Sequence, residues 1–135
     1  MYVSIINHHG REERINTHRL NFVLYDRGTL FTSLNLRPGV LTSDRYQAGK
    51  LITHLLADEN FVDVRNGERG YLINLAALHS MDSNPRSNVI FIEFKTGTQV
   101  KLPTSKAPIL DEALAAIETT VQMFSTRWQR VRFSS

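Results

Sequence analysis

The chain has no cysteine. Disulfides, thiol catalysis and Cys-based zinc sites are therefore excluded, and the composition is compatible with a reducing cytoplasm. No apolar run approaches the roughly 18–20 residues of a membrane span. Met1-Tyr-Val-Ser-Ile-Ile6 shows no basic region followed by a long apolar stretch, so no secretory signal is expected and a cytoplasmic location is. Motifs with recognisable chemistry are also missing. There is no Gly-rich loop followed by Lys-Ser/Thr, no G-x-G-x-x-G, no G-x-S-x-G and no H-E-x-x-H. The acid pairs Glu12-Glu13 and Asp58-Glu59 fall in polar segments that read as solvated loops. The five histidines are scattered, and the neighbours His8 and His9 point opposite ways if their segment is extended. No catalytic residue, metal site, cofactor or small-molecule substrate is expected, and the chain does not read as an enzyme.

What is present is a modestly basic chain of 135 residues, the size of one domain, with net charge +3. Twelve of its sixteen cations are arginine. Arginine makes bidentate contacts with phosphate and guanine edges, so the composition admits nucleic acid as a partner. It equally suits a solvated surface on which arginines pair with the thirteen acids.

Turn signals divide the chain into short strands and two helices, an α+β pattern. Val3–Ile6 is a first strand, and 7–14 reads as a polar loop. Leu20–Tyr25 and Thr29–Leu36 flank Asp26-Arg27-Gly28, where glycine supplies the positive φ of a tight hairpin. Asn35-Leu-Arg-Pro-Gly39 reads as a turn. From Asp44, with Gln47 as its capping partner, Ala48, Leu51, Ile52, Leu55 and Leu56 share one helical face. Phe61–Val64 and Tyr71–Leu75 flank Asn66-Gly67, a strong hairpin signal. Leu78–Met81 is a further extended piece, and 83–87 a turn. Val89–Phe94 and Thr98–Leu102 form a hairpin around Gly97.

The last element carries the longest pattern. After Pro108, Leu110, Leu114, Ile117, Val121, Phe124, Trp128 and Val131 recur at alternating spacings of 4 and 3, a heptad stripe. Such a long amphipathic C-terminal helix spans roughly 35 Å. Either its far end, with Val121, Phe124, Trp128 and Val131, forms a homodimer interface, or the helix ends near Arg127. Hairpin-then-helix order recurs in the two halves, which allows two ββα-type pseudo-repeats, 1–58 and 59–135; a chance echo of a generic hairpin and helix explains the same order.

Basic side chains gather at the turns: Arg27, Arg65, Arg69, Arg86 and Lys95. If these turns share one sheet edge, they form a comb for a phosphate backbone, which makes duplex DNA the expected partner. Turns are also ordinarily solvated, and a protein–protein adaptor or inhibitor without nucleic-acid affinity is the alternative. Tyr71, Phe91, Phe94, Phe124 and Trp128 read as core rather than as a base-stacking platform, and Phe91 and Phe94 fall on opposite strand faces.

Residues 55–81, which include Tyr71-Leu-Ile-Asn-Leu75, and Glu93-Phe-Lys-Thr-Gly-Thr-Gln-Val-Lys-Leu102 are similar to the second half of a LytTR-type DNA-binding domain. The same stretch also resembles short FlbD-like proteins associated with bacterial flagellar operons. The first resemblance implies a β-dominated DNA-binding module of a bacterial regulator. On this chain it places Arg65 and Arg69 at contact positions. A small regulatory protein of bacterial, phage or plasmid type is the resulting expectation.

Overall fold

The computed structural model describes residues 2–32, 39–84 and 86–120. The chain divides into two compact units, Met1–Ala77 and Leu78–Ser135. Among the described residues all strand pairing is antiparallel, in three sheets, and two α-helices accompany them. The α+β class read from the sequence is the class observed.

In the first unit, β1 (Tyr2–Ile6) pairs with β2 (Glu12–Asn16) as a two-stranded ribbon. A five-stranded sheet follows in the order β5-β4-β3-β7-β6, built from β3 (Phe22–Asp26), β4 (Thr29–Thr32), β5 (Gly39–Thr42), β6 (Phe61–Asp63) and β7 (Arg69–Asn74). Helix α1 (Arg45–Leu56) lies between β5 and β6 in sequence. Its face of Ala48, Leu51, Ile52 and Leu55 is buried in one core with Val3, Ile5, Leu20, Val23, Leu30 and Leu72. At about 1.5–3 kcal/mol for each large side chain, the three larger residues of that face supply on the order of 5–9 kcal/mol of gross burial.

Local chemistry explains how α1 starts. Asp44 is the N-cap, and its carboxylate accepts from the N–H groups of Tyr46 and Gln47 at 2.8 and 3.3 Å. Such a cap contributes about 1 kcal/mol. Gln47 does not return the bond as a capping partner. Its Oε1 accepts from the Ile6 N–H at 2.9 Å, so it fastens α1 to β1. A strand edge with an unmet donor outcompetes the local cap.

Asn74 is almost fully buried and serves the frame. Its Nδ2 donates to the Leu20 carbonyl at 2.8 Å, and its Oδ1 accepts from the Ala76 N–H at 3.0 Å. Both polar ends are satisfied, as burial requires.

In the second unit, β8 (Leu78–Asn84), β9 (Val89–Phe94) and β10 (Gln99–Pro103) form a meander with β9 central. Ile90, Ile92, Phe94, Val100 and Leu102 alternate inward, while Phe91 faces outward with the Lys101 ammonium 5.5 Å from its ring centre. Helix α2 (Ala107–Thr120) carries the start of the heptad stripe, with Leu110, Leu114 and Ile117 buried. Val121, Phe124, Trp128 and Val131, expected at an oligomer interface, lie outside the described residues.

Further sequence expectations are corrected: Ser83 and Asn84, read as part of a turn, belong to β8, and Phe91, read as core, faces outward. The polar stretch 7–14 is only partly loop, because Glu12–Arg14 belongs to β2. That strand hid because Ile15 is its sole buried residue, so no apolar alternation announces it. Gly39 opens β5 rather than closing a turn, and residues 35–38 lie outside the described ones. His8 and His9 do not diverge, because they sit in a turn rather than a strand and their ring centres lie 3.8 Å apart with the planes tilted by 40°.

Candidate functional site

Two tight turns of the first unit lie side by side. Asp26 pairs with Thr29 at the end of β3–β4, leaving Arg27 and Gly28 as a two-residue loop. Both have positive φ, +47° and +98°, the backbone twist that matches a right-handed strand pair. The second turn sits one residue later than Asn66-Gly67 suggests. Asn66 and Arg69 exchange two backbone bonds, 2.8 and 3.3 Å, so Gly67 and Glu68 form its loop. Pairing of β3 with β7 sets Asp26 opposite Arg69, and the Arg27 N–H donates to the Glu68 carbonyl at 2.8 Å. Backbone bonds thus hold the two turns at one end of the sheet.

Side chains converge there. Arg27 Nε lies 3.1 Å from Asp26 Oδ1, and Arg69 Nε lies 3.9 Å from Asp26 Oδ2, so one carboxylate stands between two guanidinium groups. Arg45, the first residue of α1, rests against Gly28. Its Nη1 donates to Glu68 Oε2 at 2.9 Å and to the Tyr25 hydroxyl at 3.3 Å, and that hydroxyl donates to the same carboxylate oxygen at 3.3 Å. Arg65 forks onto Asp63 through Nε and Nη2 at 3.0 and 2.9 Å, and its guanidinium carbon lies 5.5 Å from the Tyr25 ring centre. The hydrogen bond to Glu68 holds the Arg45 pKa above its ordinary value. The bond to Asp63 does the same for Arg65 against the opposing effect of burial.

Exposure separates the roles. Arg27, Arg69 and Arg45 side chains are 76%, 74% and 62% exposed, whereas Arg65 is 20% exposed. Arg65 is anchored between Asp63 and Tyr25 and braces the site, while the other three present guanidinium groups to solvent. Four guanidinium charges face three carboxylates, Asp26, Asp63 and Glu68, so the local net charge is +1. Pairs this exposed are weak because solvent screens them, so an anionic ligand can displace their carboxylates.

Of the five basic residues singled out in the sequence, Arg27, Arg65 and Arg69 are brought together. Arg86 and Lys95 belong to the second unit. They sit in the turns at opposite ends of β9, which six residues separate by roughly 15–20 Å, so these two do not share a sheet end. Sequence reasoning missed Arg45, Tyr25 and Asp63. Arg45 stands after a helix cap 23 residues from Glu68, and no spacing rule links the two. Among the described residues, no group of three or more His, Asp or Glu side chains converges as a metal cage would need, and no helix is long and apolar enough to cross a membrane.

No family model matches the chain, and no curated protein matches it. Its fold is similar to that of the LytTr DNA-binding domain of a Bacillus cereus protein described as a methyl-accepting/DNA response regulator. The TM-score is 0.58 at 12% identity, and the likeness covers 84% of this chain and 95% of that one. The likeness read from residues 55–102 therefore extends, at the level of fold, over most of the chain.

Proposed function

We propose that this chain is a DNA-binding regulatory protein whose contact surface is the pair of turns with Arg27 and Arg69 together with Arg45 at the start of α1, and with Arg65 as their brace. The observation that carries this reading is the convergence of three exposed guanidinium groups on two turns that backbone bonds fix together. Guanidinium groups at a rigid turn edge suit phosphate oxygens and base edges. The fold likeness to a domain described as DNA-binding adds to it. Arg86 and Lys95 are proposed as separate phosphate contacts from the second unit. A bacterial, phage or plasmid regulator working in the cytoplasm fits this reading.

The test is fluorescence anisotropy with a duplex of about 20 base pairs over a salt series. Binding should weaken linearly on a log–log plot, with a slope of about −0.9 for each phosphate engaged. No binding at low salt, or binding indifferent to salt, overturns the reading.

One observation favours an adaptor instead. Tyr46 is 75% exposed at the start of α1 and, with Gly49, Lys50, Thr53 and His54, lines an open groove that a partner's side chain can enter. Absent DNA binding makes that second reading the one to pursue.

We also propose a homodimer formed through Val121, Phe124, Trp128 and Val131, supported by the unbroken heptad stripe. Sedimentation should find the intact chain dimeric and a chain truncated after Ser125 monomeric. An unchanged oligomeric state on truncation removes the tail from the interface.

A further inference from the structure

We propose that Glu68 is an internal stand-in for phosphate: its carboxylate occupies Arg45 and the Tyr25 hydroxyl until a nucleic-acid phosphate displaces it, so that Glu68 sets the threshold for binding. The inference rests on the DNA-binding reading above and goes beyond it by assigning an antagonist within the site.

The geometry is that of an anion cradle already filled. One oxygen, Glu68 Oε2, receives Arg45 Nη1 at 2.9 Å and the Tyr25 hydroxyl at 3.3 Å. A phosphate oxygen is a strong acceptor for the same pair of donors. The three carboxylates of the site differ in how readily they yield. Asp63 is held by a forked Arg65 whose side chain is 20% exposed, and Asp26 is 27% exposed between two arginines. Glu68 is 61% exposed and Arg45 62% exposed, so both are solvated before and after exchange. Departure of the carboxylate leaves the turn intact, because the Glu68 carbonyl stays bonded to the Arg27 N–H. Only the side chain has to swing, and it stands on the tip of a two-residue loop beside Gly67, around which there is open space.

Two consequences distinguish a stand-in from an ordinary surface ion pair. Removing the Glu68 charge should strengthen DNA binding rather than weaken it. Loss of Arg45 should cost more once Glu68 no longer competes for it, which makes the two substitutions non-additive.

The experiment measures duplex binding by anisotropy for the wild type, Glu68→Gln, Arg45→Ala and the double variant, from about 50 mM salt upward. Glu68→Gln should bind about threefold to tenfold more tightly at low salt, with a slope steeper by about one contact, and the gain should fade at high salt. Arg45→Ala should weaken wild-type binding by about twofold to threefold, because Glu68 already offsets part of that contact, and should weaken Glu68→Gln binding by more, erasing the gain. Unaltered melting temperatures will show that the exposed substitutions leave the fold in place. If the wild type binds and Glu68→Gln binds equally or more weakly, or if the two substitutions are additive, the stand-in role is overturned and the DNA-binding reading stands. If Glu68→Gln alone binds, the role is supported in its strongest form. If none of the four binds, the DNA-binding reading itself falls, and this inference with it.

Discussion

Replacing Gly70 by alanine will destabilise the protein by about 2–4 kcal/mol, lowering the melting temperature by about 6–15 °C for a chain of this size. Gly70 has φ +137°, a backbone conformation that side chains rarely adopt. A Cβ there would lie 2.7 Å from the Arg65 Cα, a backbone atom that cannot step aside as a side-chain tip can. The close approach has a purpose in the fold. Gly70 pairs with Tyr25 across β3–β7, and Arg65, directly across the turn, lays its guanidinium over the Tyr25 ring. An alanine therefore pushes against the residue that braces the arginine cluster, so stability and site geometry fail together. Urea unfolding should show a lower midpoint with an unchanged slope. The control is Gly49→Ala on α1, where a new Cβ meets nothing within 4 Å. That change should stabilise the protein by about 0.5–1 kcal/mol through helix propensity and a less flexible unfolded chain. A Gly70 variant as stable as the wild type would mean that the Arg65 backbone yields to the added Cβ.

What the sequence makes legible is local. Gly28 and Gly67 announce their turns because positive φ is a property of single residues, and Asp44 announces the start of α1 because a cap bonds N–H groups two and three residues ahead. The inward alternation of Ile90, Ile92 and Phe94 declares β9 in the same way. What stays hidden depends on tertiary placement. β2 carries one buried residue and so lacks a period. Gln47 serves β1, 41 residues away, rather than its own helix. In the candidate site, Arg27, Arg65 and Arg69 could be picked out because turns attract attention. Their unequal roles could not, since it takes Asp63 and the Tyr25 ring to turn Arg65 into a brace. Arg45 joins the site only because α1 begins beside Gly28. Arg86 and Lys95 show the converse limit: both lie in turns, yet successive turns of a meander alternate between the two ends of a sheet, and a list of basic turns does not reveal which end each occupies.

Removing the two most exposed arginines of the site together, Arg27 and Arg69, should reduce DNA affinity by about 10- to 100-fold near 0.1 M salt and flatten the salt slope by about two contacts. Arg27 and Arg69 share Asp26, so removing one alone hands the other an undivided carboxylate, and the single variants will understate or overstate each contribution. The informative set therefore contains both singles and the double. Arg27 is best replaced by asparagine, because its φ of +47° lies in the left-handed region that asparagine tolerates better than alanine. Arg69 opens β7 without a positive φ and can become alanine. Since both side chains are about three-quarters exposed, neither substitution opens a cavity, and melting temperatures should stay near wild type. Lysine at both positions separates charge from geometry. If the sites act only as charges, the lysine variant keeps the slope and most of the affinity; if they act as forks on phosphate or guanine, the slope survives while affinity falls. An unchanged slope in the Arg27→Asn, Arg69→Ala variant would clear this edge of DNA contact and move attention to Arg86 and Lys95, whose turns lie a strand's length apart and cannot substitute for one another on a single phosphate.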